Sequence, residues 1–317
     1  MPRFGFICRS ETPVALDRLR WNHSGERGKR RRGSRMVTVK GPQRMSIPRT
    51  EGFLDVGDGE RLWFETAGEG PDLILSHGLG GNAAVWYQQV PFFARDHRVI
   101  TWDQRGFGRS TNVTGSHGPV NAVSDLVALM DHLGVAETTL IGQSMGGWAS
   151  LGAALAVPDR VRSLVLACTT GGIPVQSGAP ALPPAAPNAG DAATLRRAVL
   201  PLGQHPAIGE RLLRLDPARA YLYQALGTFG NRPTDAELMR LLAETTFDDA
   251  AIRALDLPVL FIAGELDGLM TPALLRTAAT WLTRSTIVEL PGLGHSPYFE
   301  DPDTWNAVVE DFLSQHH

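Results

Sequence analysis

The stretch that decides the fold is Gly142-Gln143-Ser144-Met145-Gly146-Gly147, which follows the apolar run Thr139-Leu140-Ile141 and precedes a helix-like stretch from Trp148 to Val157. A strand, a tight turn with a central serine and then a helix form the context in which a G-x-S-x-G match is informative. A turn this sharp leaves no room for side chains two positions either side of the serine, and glycines at 142 and 146 supply that room. We therefore expect the Ser144 hydroxyl to stand exposed above the strand ends.

A serine hydroxyl is a weak nucleophile at neutral pH, so it needs a base and an acid that orients the base. Asp267 lies just after the strand-like run 258–263, and His295 lies just after a second short run, 286–290. The pattern predicts Ser144 as nucleophile, His295 as base and Asp267 as acid, in the chain order serine, acid, histidine. Glu265 remains an alternative acid if the loop register differs.

The reaction also needs hydrogen-bond donors for an oxyanion. The strand-like run 72–75 ends in Ser76-His77-Gly78-Leu79-Gly80-Gly81, a glycine-rich turn whose backbone can approach a ligand closely. We predict the backbone N–H groups of Leu79 and Met145 as the oxyanion donors. His77 is expected to shape this turn, and Asp103 to anchor a loop.

Together with Asp103-Gln104-Arg105-Gly106-Phe107-Gly108-Arg109-Ser110, these segments resemble the α/β-hydrolase fold serine hydrolases of the esterase, lactonase and carbon–carbon hydrolase type. The resemblance extends over roughly residues 50 to 315. It implies a mostly parallel, doubly covered sheet with an inserted helical cap, and the triad named above. Epoxide hydrolases and haloalkane dehalogenases of this fold carry aspartate at the nucleophile position, so Ser144 argues against both.

The substrate is less constrained, because this fold hosts many chemistries. We expect cleavage of a small carboxylic ester or lactone. The alternatives are a carbon–carbon hydrolase of the meta-cleavage type, an enol-lactonase, a thioesterase and a cofactor-free haloperoxidase or perhydrolase. A ligand receptor built on the same fold is an alternative from a different class.

The composition of the 317 residues, 43% hydrophobic and 20% charged, predicts a soluble globular protein. No run of 18 apolar residues occurs, so no membrane partner is expected, and we predict a cytoplasmic location. Cys8 and Cys168 are far apart, so no structural disulfide is expected and a reducing compartment fits. No phosphate-binding or dinucleotide-binding glycine motif follows a strand, so no cofactor is expected. The spacing of the histidines suggests no metal site. The sequence does not specify the oligomeric state.

Residues 1–44 differ from the rest of the chain. They carry 12 lysines and arginines against 3 acidic residues, and they hold Lys29 and Lys40, the two lysines of the whole chain. This difference in composition predicts a disordered extension, or a start codon assigned too early, with translation beginning at Met36 or Met45. A nucleic-acid-binding or targeting tail is the alternative, and no nucleic-acid partner is expected.

The remaining chain alternates strands and helices, and we divide it into a core (45–170 and 251–317) and a cap (171–250). The cap begins with a proline-rich stretch, 178–187, predicted to form a lid loop. Helices are predicted near 192–200, 208–215, 218–229 and 234–247. Five apolar cap residues are candidates for the roof of the substrate pocket: Tyr221, Tyr223, Phe229, Met239 and Phe247.

Overall fold

Successive side chains along the central strands point alternately into two buried layers, and this alternation defines the centre of the structure. In this computed structural model, residues 46–175, 201–202, 205–230 and 234–316 are described. Their strands are β1 (Arg49–Asp55), β2 (Arg61–Ala67), β3 (Asp72–Ser76), β4 (Arg98–Trp102), β5 (Thr138–Gln143), β6 (Val161–Ala167), β7 (Val259–Gly264) and β8 (Ser285–Leu290). They form one eight-stranded sheet in the order β1-β2-β4-β3-β5-β6-β7-β8.

The sheet is parallel from β4 to β8 and antiparallel only at the β1–β2 and β2–β4 pairs. A hairpin joins β1 to β2 through Gly57, Asp58 and Gly59, which all have positive φ. The predicted alternation of strands and helices and the predicted mostly parallel sheet are confirmed.

Helices cover both faces of the sheet. The helices are α1 (Gln89–Phe93), α2 (Pro119–His132), α3 (Gly146–Ala156), α4 (Glu210–Leu215), α5 (Pro217–Leu226), α6 (Asp235–Glu244), α7 (Asp249–Ala254), α8 (Pro272–Ala279), α9 (Pro297–Glu300) and α10 (Pro302–Gln315). Ile74 and Leu140 pack towards α2, α3 and α8, whereas Leu73 and Ile141 pack towards α1 and α10. Such two-sided burial is what a parallel sheet requires.

Helices α4 to α7 form an insertion between β6 and β7. Two of its contacts are to segments that follow the carboxyl ends of core strands. Asn82 Nδ2, in the loop after β3, donates to the Leu226 carbonyl (2.9 Å), and Trp148 Nε1, at the start of α3, donates to the Thr245 carbonyl (3.1 Å). The inserted segment therefore lies over the carboxyl edge of the sheet. The predicted pieces 178–187 and 192–200, and the extension 1–44, lie outside the described residues.

One predicted helix is shorter than expected, and a separate helix, α7, follows it. The sequence predicted a single helix over 234–247, but α6 ends at Glu244 because Thr245 adopts an extended conformation with ψ 108°. Asp248 then caps α7 by accepting a hydrogen bond from the Ala251 N–H. Within the described residues, no helix combines the length and apolar character needed to cross a membrane.

Candidate active site

Ser144 occupies the turn between β5 and α3 with φ of 50°, a left-handed conformation that is strained for a residue other than glycine. The two glycines beside it are required by close packing. A Cβ on Gly142 would lie 2.6 Å from the Gly146 carbonyl oxygen, and a Cβ on Gly146 would lie 2.2 Å from that of Ser76. The sequence therefore holds the serine at the point where β5 turns into α3.

The side chains of His295 and Asp267 complete a hydrogen-bonded chain with Ser144. His295 Nε2 lies 2.9 Å from Ser144 Oγ, and His295 Nδ1 lies 2.8 Å from Asp267 Oδ2. An ionised carboxylate only accepts, so Nδ1 carries the proton and Nε2 is left to accept from the serine hydroxyl. Asp267 Oδ1 accepts the N–H groups of Leu269 (2.8 Å) and Met270 (2.9 Å), which fixes the carboxylate.

Glu265, the alternative acid, is engaged elsewhere. Its Oε2 accepts the Gly292 N–H at 2.7 Å on the exposed side of the loop. The hydrogen bond to the His295 ring comes from Asp267, not from Glu265.

The turn at residues 77–81 runs directly beside the serine. A Cβ on Gly78 would lie 3.0 Å from Ser144 Cβ. His77 Nδ1 donates to the Gly78 carbonyl at 2.8 Å, and its Nε2 accepts the Gln104 N–H at 3.1 Å, so both ring nitrogens are occupied in shaping this turn. Asp103 Oδ1 accepts the Ala83 N–H at 2.7 Å and so anchors the following loop. The assignment of the Leu79 and Met145 N–H groups as oxyanion donors stays a prediction.

The main chain around His295 is held by two side chains to which the sequence alone assigned no role. Gln143 Nε2 donates to the His295 carbonyl at 3.0 Å, and Glu300 Oε1 accepts the Gly294 N–H at 3.1 Å. Gln143 lies within the serine motif, and Glu300 lies five residues after the histidine. No periodicity marks either residue. The Gln143 contact joins segments that only the folded sheet brings together, whereas Glu300 at the end of α9 reaches back over six residues to Gly294.

Cys168 is a further neighbour of the triad. From the sequence we considered this residue only as a possible disulfide partner. Its Sγ, an Asp267 carboxylate oxygen and a His295 ring nitrogen lie within 4.8 Å of one another. Complete burial, followed by the negative charge of Asp267, raises the pKa of the Cys168 thiol well above its usual range. The thiol is therefore neutral beside the carboxylate.

The five candidate pocket residues occupy different environments. Tyr221 is 65% exposed and Phe229 is 59% exposed, so neither is enclosed by the described residues. Met239 and Phe247 are partly buried against an apolar cluster that includes Met145. Tyr223 is buried, and its hydroxyl lies 2.8 Å from Ser296 Oγ, one residue after the candidate base.

Comparison with known proteins identifies the family of the chain. A sequence model of the alpha/beta hydrolase fold family matches residues 71–302, most of the chain. The chain therefore belongs to the alpha/beta hydrolase fold family, and it is an enzyme of that fold.

Individual relatives in this family have different names. The chain is similar to "Putative carbamate hydrolase RutD" of Caulobacter sp. (strain K31), with 31% identity over 256 residues, 76% of this chain and 90% of the relative. It is similar to 3-oxoadipate enol-lactonase 2 of Acinetobacter baylyi, with 29% identity over 251 residues, 77% of this chain and 89% of the relative. The solved esterase RhEst1 of Rhodococcus sp. ECU1013 superposes with a TM-score of 0.67 at 26% identity, covering 86% of this chain and 100% of the esterase. Two other relatives, 36% and 41% identical, are covered over only 41% and 32% of their own length.

Proposed function

We propose that this enzyme is a serine hydrolase that cleaves a small carboxylic ester or lactone through an acyl-enzyme on Ser144. The observation that carries the proposal is the continuous hydrogen-bonded chain from Ser144 Oγ through the His295 ring to Asp267. That arrangement supplies a nucleophile, a base and an acid to orient the base in one site.

In the proposed mechanism, Ser144 Oγ attacks the substrate carbonyl carbon while His295 Nε2 takes the hydroxyl proton. Asp267 stabilises the imidazolium, and the N–H groups of Leu79 and Met145 hold the oxyanion. The carbon–oxygen bond to the leaving group breaks as His295 returns the proton to that oxygen. Water then attacks the acyl-enzyme with His295 again as base, which releases the acid and restores Ser144.

The lining beside the proposed oxyanion donors favours an apolar or weakly polar acyl group. Met145 belongs to a buried apolar cluster with Phe107, Trp148, Leu238 and Leu242, and Leu79 packs against it. An apolar wall next to the reacting serine stabilises a hydrocarbon acyl chain better than a charged one. The names of the relatives, an enol-lactonase and an esterase among them, are consistent with a carbonyl substrate that has an oxygen leaving group.

Hydrolysis of p-nitrophenyl acetate and butyrate by the wild type and by Ser144→Ala tests the proposal, with an unstrained lactone and a simple carbamate as parallel substrates. We expect the wild type to hydrolyse these esters. In Ser144→Ala we expect kcat to fall about 10³-fold or more, with an unchanged circular dichroism spectrum. Wild-type rates in Ser144→Ala would contradict the proposal. Ligand-induced thermal stabilisation without turnover would support the receptor alternative instead.

A further inference from the structure

Glu300 is a buried carboxylate that the proposed mechanism does not use. It ends the short helix α9 and is only 4% exposed. Its Oε1 accepts the Gly294 N–H at 3.1 Å. Burial raises the pKa of Glu300, and the N–H groups of Gly294 and Ser296 oppose that rise. The carboxylate thus faces the main chain on both sides of His295. The Gln143 amide holds the His295 carbonyl between them.

The same carboxylate faces the inserted segment. The Gly209 N–H, at the start of α4, also opposes the rise in the pKa of Glu300, although Oε2 accepts no hydrogen bond of normal geometry from the described residues. A Cβ on Gly209 would lie 2.9 Å from Oε2, and a Cβ on Gly294 would lie 3.0 Å from the Gly209 nitrogen. Asp301 and Arg211 approach each other at 3.6 Å beside this contact. The turn at 294–296 and the start of α4 therefore meet at Glu300 without room for a further side chain.

Burial opposes a negative charge in this position. Burial raises the pKa of Glu300, and the N–H groups of Gly294, Gly209 and Ser296, together with the Arg211 charge, oppose that effect only in part. A carboxyl whose pKa is raised by folding contributes stability below its unfolded pKa and loses that contribution as the pH rises through its folded pKa. Ionising this carboxyl therefore costs more free energy in the folded protein than in the unfolded chain.

We propose that Glu300 is a positioning residue for His295: its carboxylate fixes the turn at 294–296 against the start of α4, so that His295 Nε2 stays within hydrogen-bond reach of Ser144. The inference rests on the proposed function, since it assigns His295 as the base. In this proposal the Glu300 side chain connects the inserted segment to the triad. A misplacement of a reacting group by about 1 Å is enough to lower a rate by about 100-fold.

The test compares Glu300→Gln with wild type in kcat and KM for p-nitrophenyl butyrate, and in Tm near neutral pH. A glutamine amide presents only one acceptor oxygen, and its NH₂ group cannot accept from a main-chain N–H. We expect kcat to fall about 10- to 100-fold with KM changed less than about 3-fold and Tm not lowered. Glu310→Gln, an exposed glutamate on α10, is the matched control and should retain wild-type kinetics and Tm.

A second variant approaches the contact from the inserted segment. Gly209→Ala keeps the carboxylate but places a methyl group 2.9 Å from Glu300 Oε2. We therefore expect it to lower kcat, as Glu300→Gln does. Wild-type kcat in both variants, or a loss that only follows the unfolded fraction, would overturn the positioning role. If the wild type hydrolyses no ester, the proposed function fails. The rate at which a fluorophosphonate labels Ser144 then still reports the Ser144–His295 pairing, and equal rates in wild type and Glu300→Gln would overturn the inference on its own.

Discussion

Ser144, Asp267 and His295 follow three different strands, and their side chains meet because β5, β7 and β8 all end at the same edge of a parallel sheet. Chain order and strand ends alone were enough to predict these three residues. Cys168 was not predictable as their neighbour, because its position depends on β6 lying between β5 and β7 in the sheet. Glu300 was missed for a related reason, since its partner Gly209 is distant in sequence.

Replacing the acid tests the orientation of the imidazole. Asp267→Asn retains the acceptor for the Leu269 and Met270 N–H groups but turns one oxygen into a donor group, which disfavours the Nδ1–H tautomer. We expect kcat for ester hydrolysis to fall about 10³- to 10⁴-fold with the fold retained. Glu265→Gln is the control and should retain nearly full activity, because Glu265 contacts Gly292 and not His295. The reverse pattern would make Glu265 the acid.

The neutral, buried thiol of Cys168 is expected to resist alkylation. A thiol reacts through its thiolate, and burial together with Asp267 raises the pKa of this one well above its usual range. Iodoacetamide near neutral pH should therefore leave ester hydrolysis unchanged, and peptide mass spectrometry should find Cys168 unmodified in native protein and modified in urea. Rapid modification of Cys168 in the native enzyme would show that the site opens.

At the scale of elements, the β5–α3 turn and the inserted helices were predictable to different degrees. The turn follows from local rules, since glycines at 142 and 146 are the residues that its backbone contacts demand. The ends of the inserted helices depend on caps and tertiary contacts. The break after Glu244, for example, accompanies the hydrogen bond from Trp148 to the Thr245 carbonyl, which joins α3 to the insertion.

A methyl group added in the β5–α3 turn should disrupt it. In Gly146→Ala the new Cβ would lie 2.2 Å from the Ser76 carbonyl oxygen, so β3 and α3 must separate. We expect a loss of about 3 kcal/mol in the free energy of unfolding, measured by urea denaturation, and a loss of ester hydrolysis. Gly268→Ala, beside Asp267, has no atom within 4 Å of its new Cβ and should change stability by less than about 0.5 kcal/mol. Equal effects of the two changes would refute the packing argument.

At the scale of the whole molecule, the eight-stranded sheet and its two helical layers follow from the pattern of apolar strands and helices, whereas the strand order required the structure. Ser46–His317 forms one compact unit that contains all the proposed site residues. The net charge of −3 combines a basic stretch at residues 1–44 with an acidic remainder. Fold and site therefore both belong to the acidic part.

Removal of residues 1–45 should leave the enzyme folded and active. The triad, the turn at 77–81 and the inserted helices all lie in the unit that remains. We expect kcat/KM for p-nitrophenyl butyrate within about 2-fold of the full chain and a cooperative thermal transition with a similar Tm. A truncated protein that is folded but inactive would show that the removed segment takes part in catalysis.

The central claim, acyl transfer to Ser144, is tested most directly by trapping the intermediate. Rapid mixing of the enzyme with p-nitrophenyl acetate, acid quenching and peptide mass spectrometry locate any acetyl group bound to the protein. The account predicts one acetyl group on Ser144 in the wild type, formed with a burst of p-nitrophenol, and none in Ser144→Ala. Ester hydrolysis without a covalent adduct, or an acetyl group bound at another residue that Ser144→Ala does not remove, would contradict it.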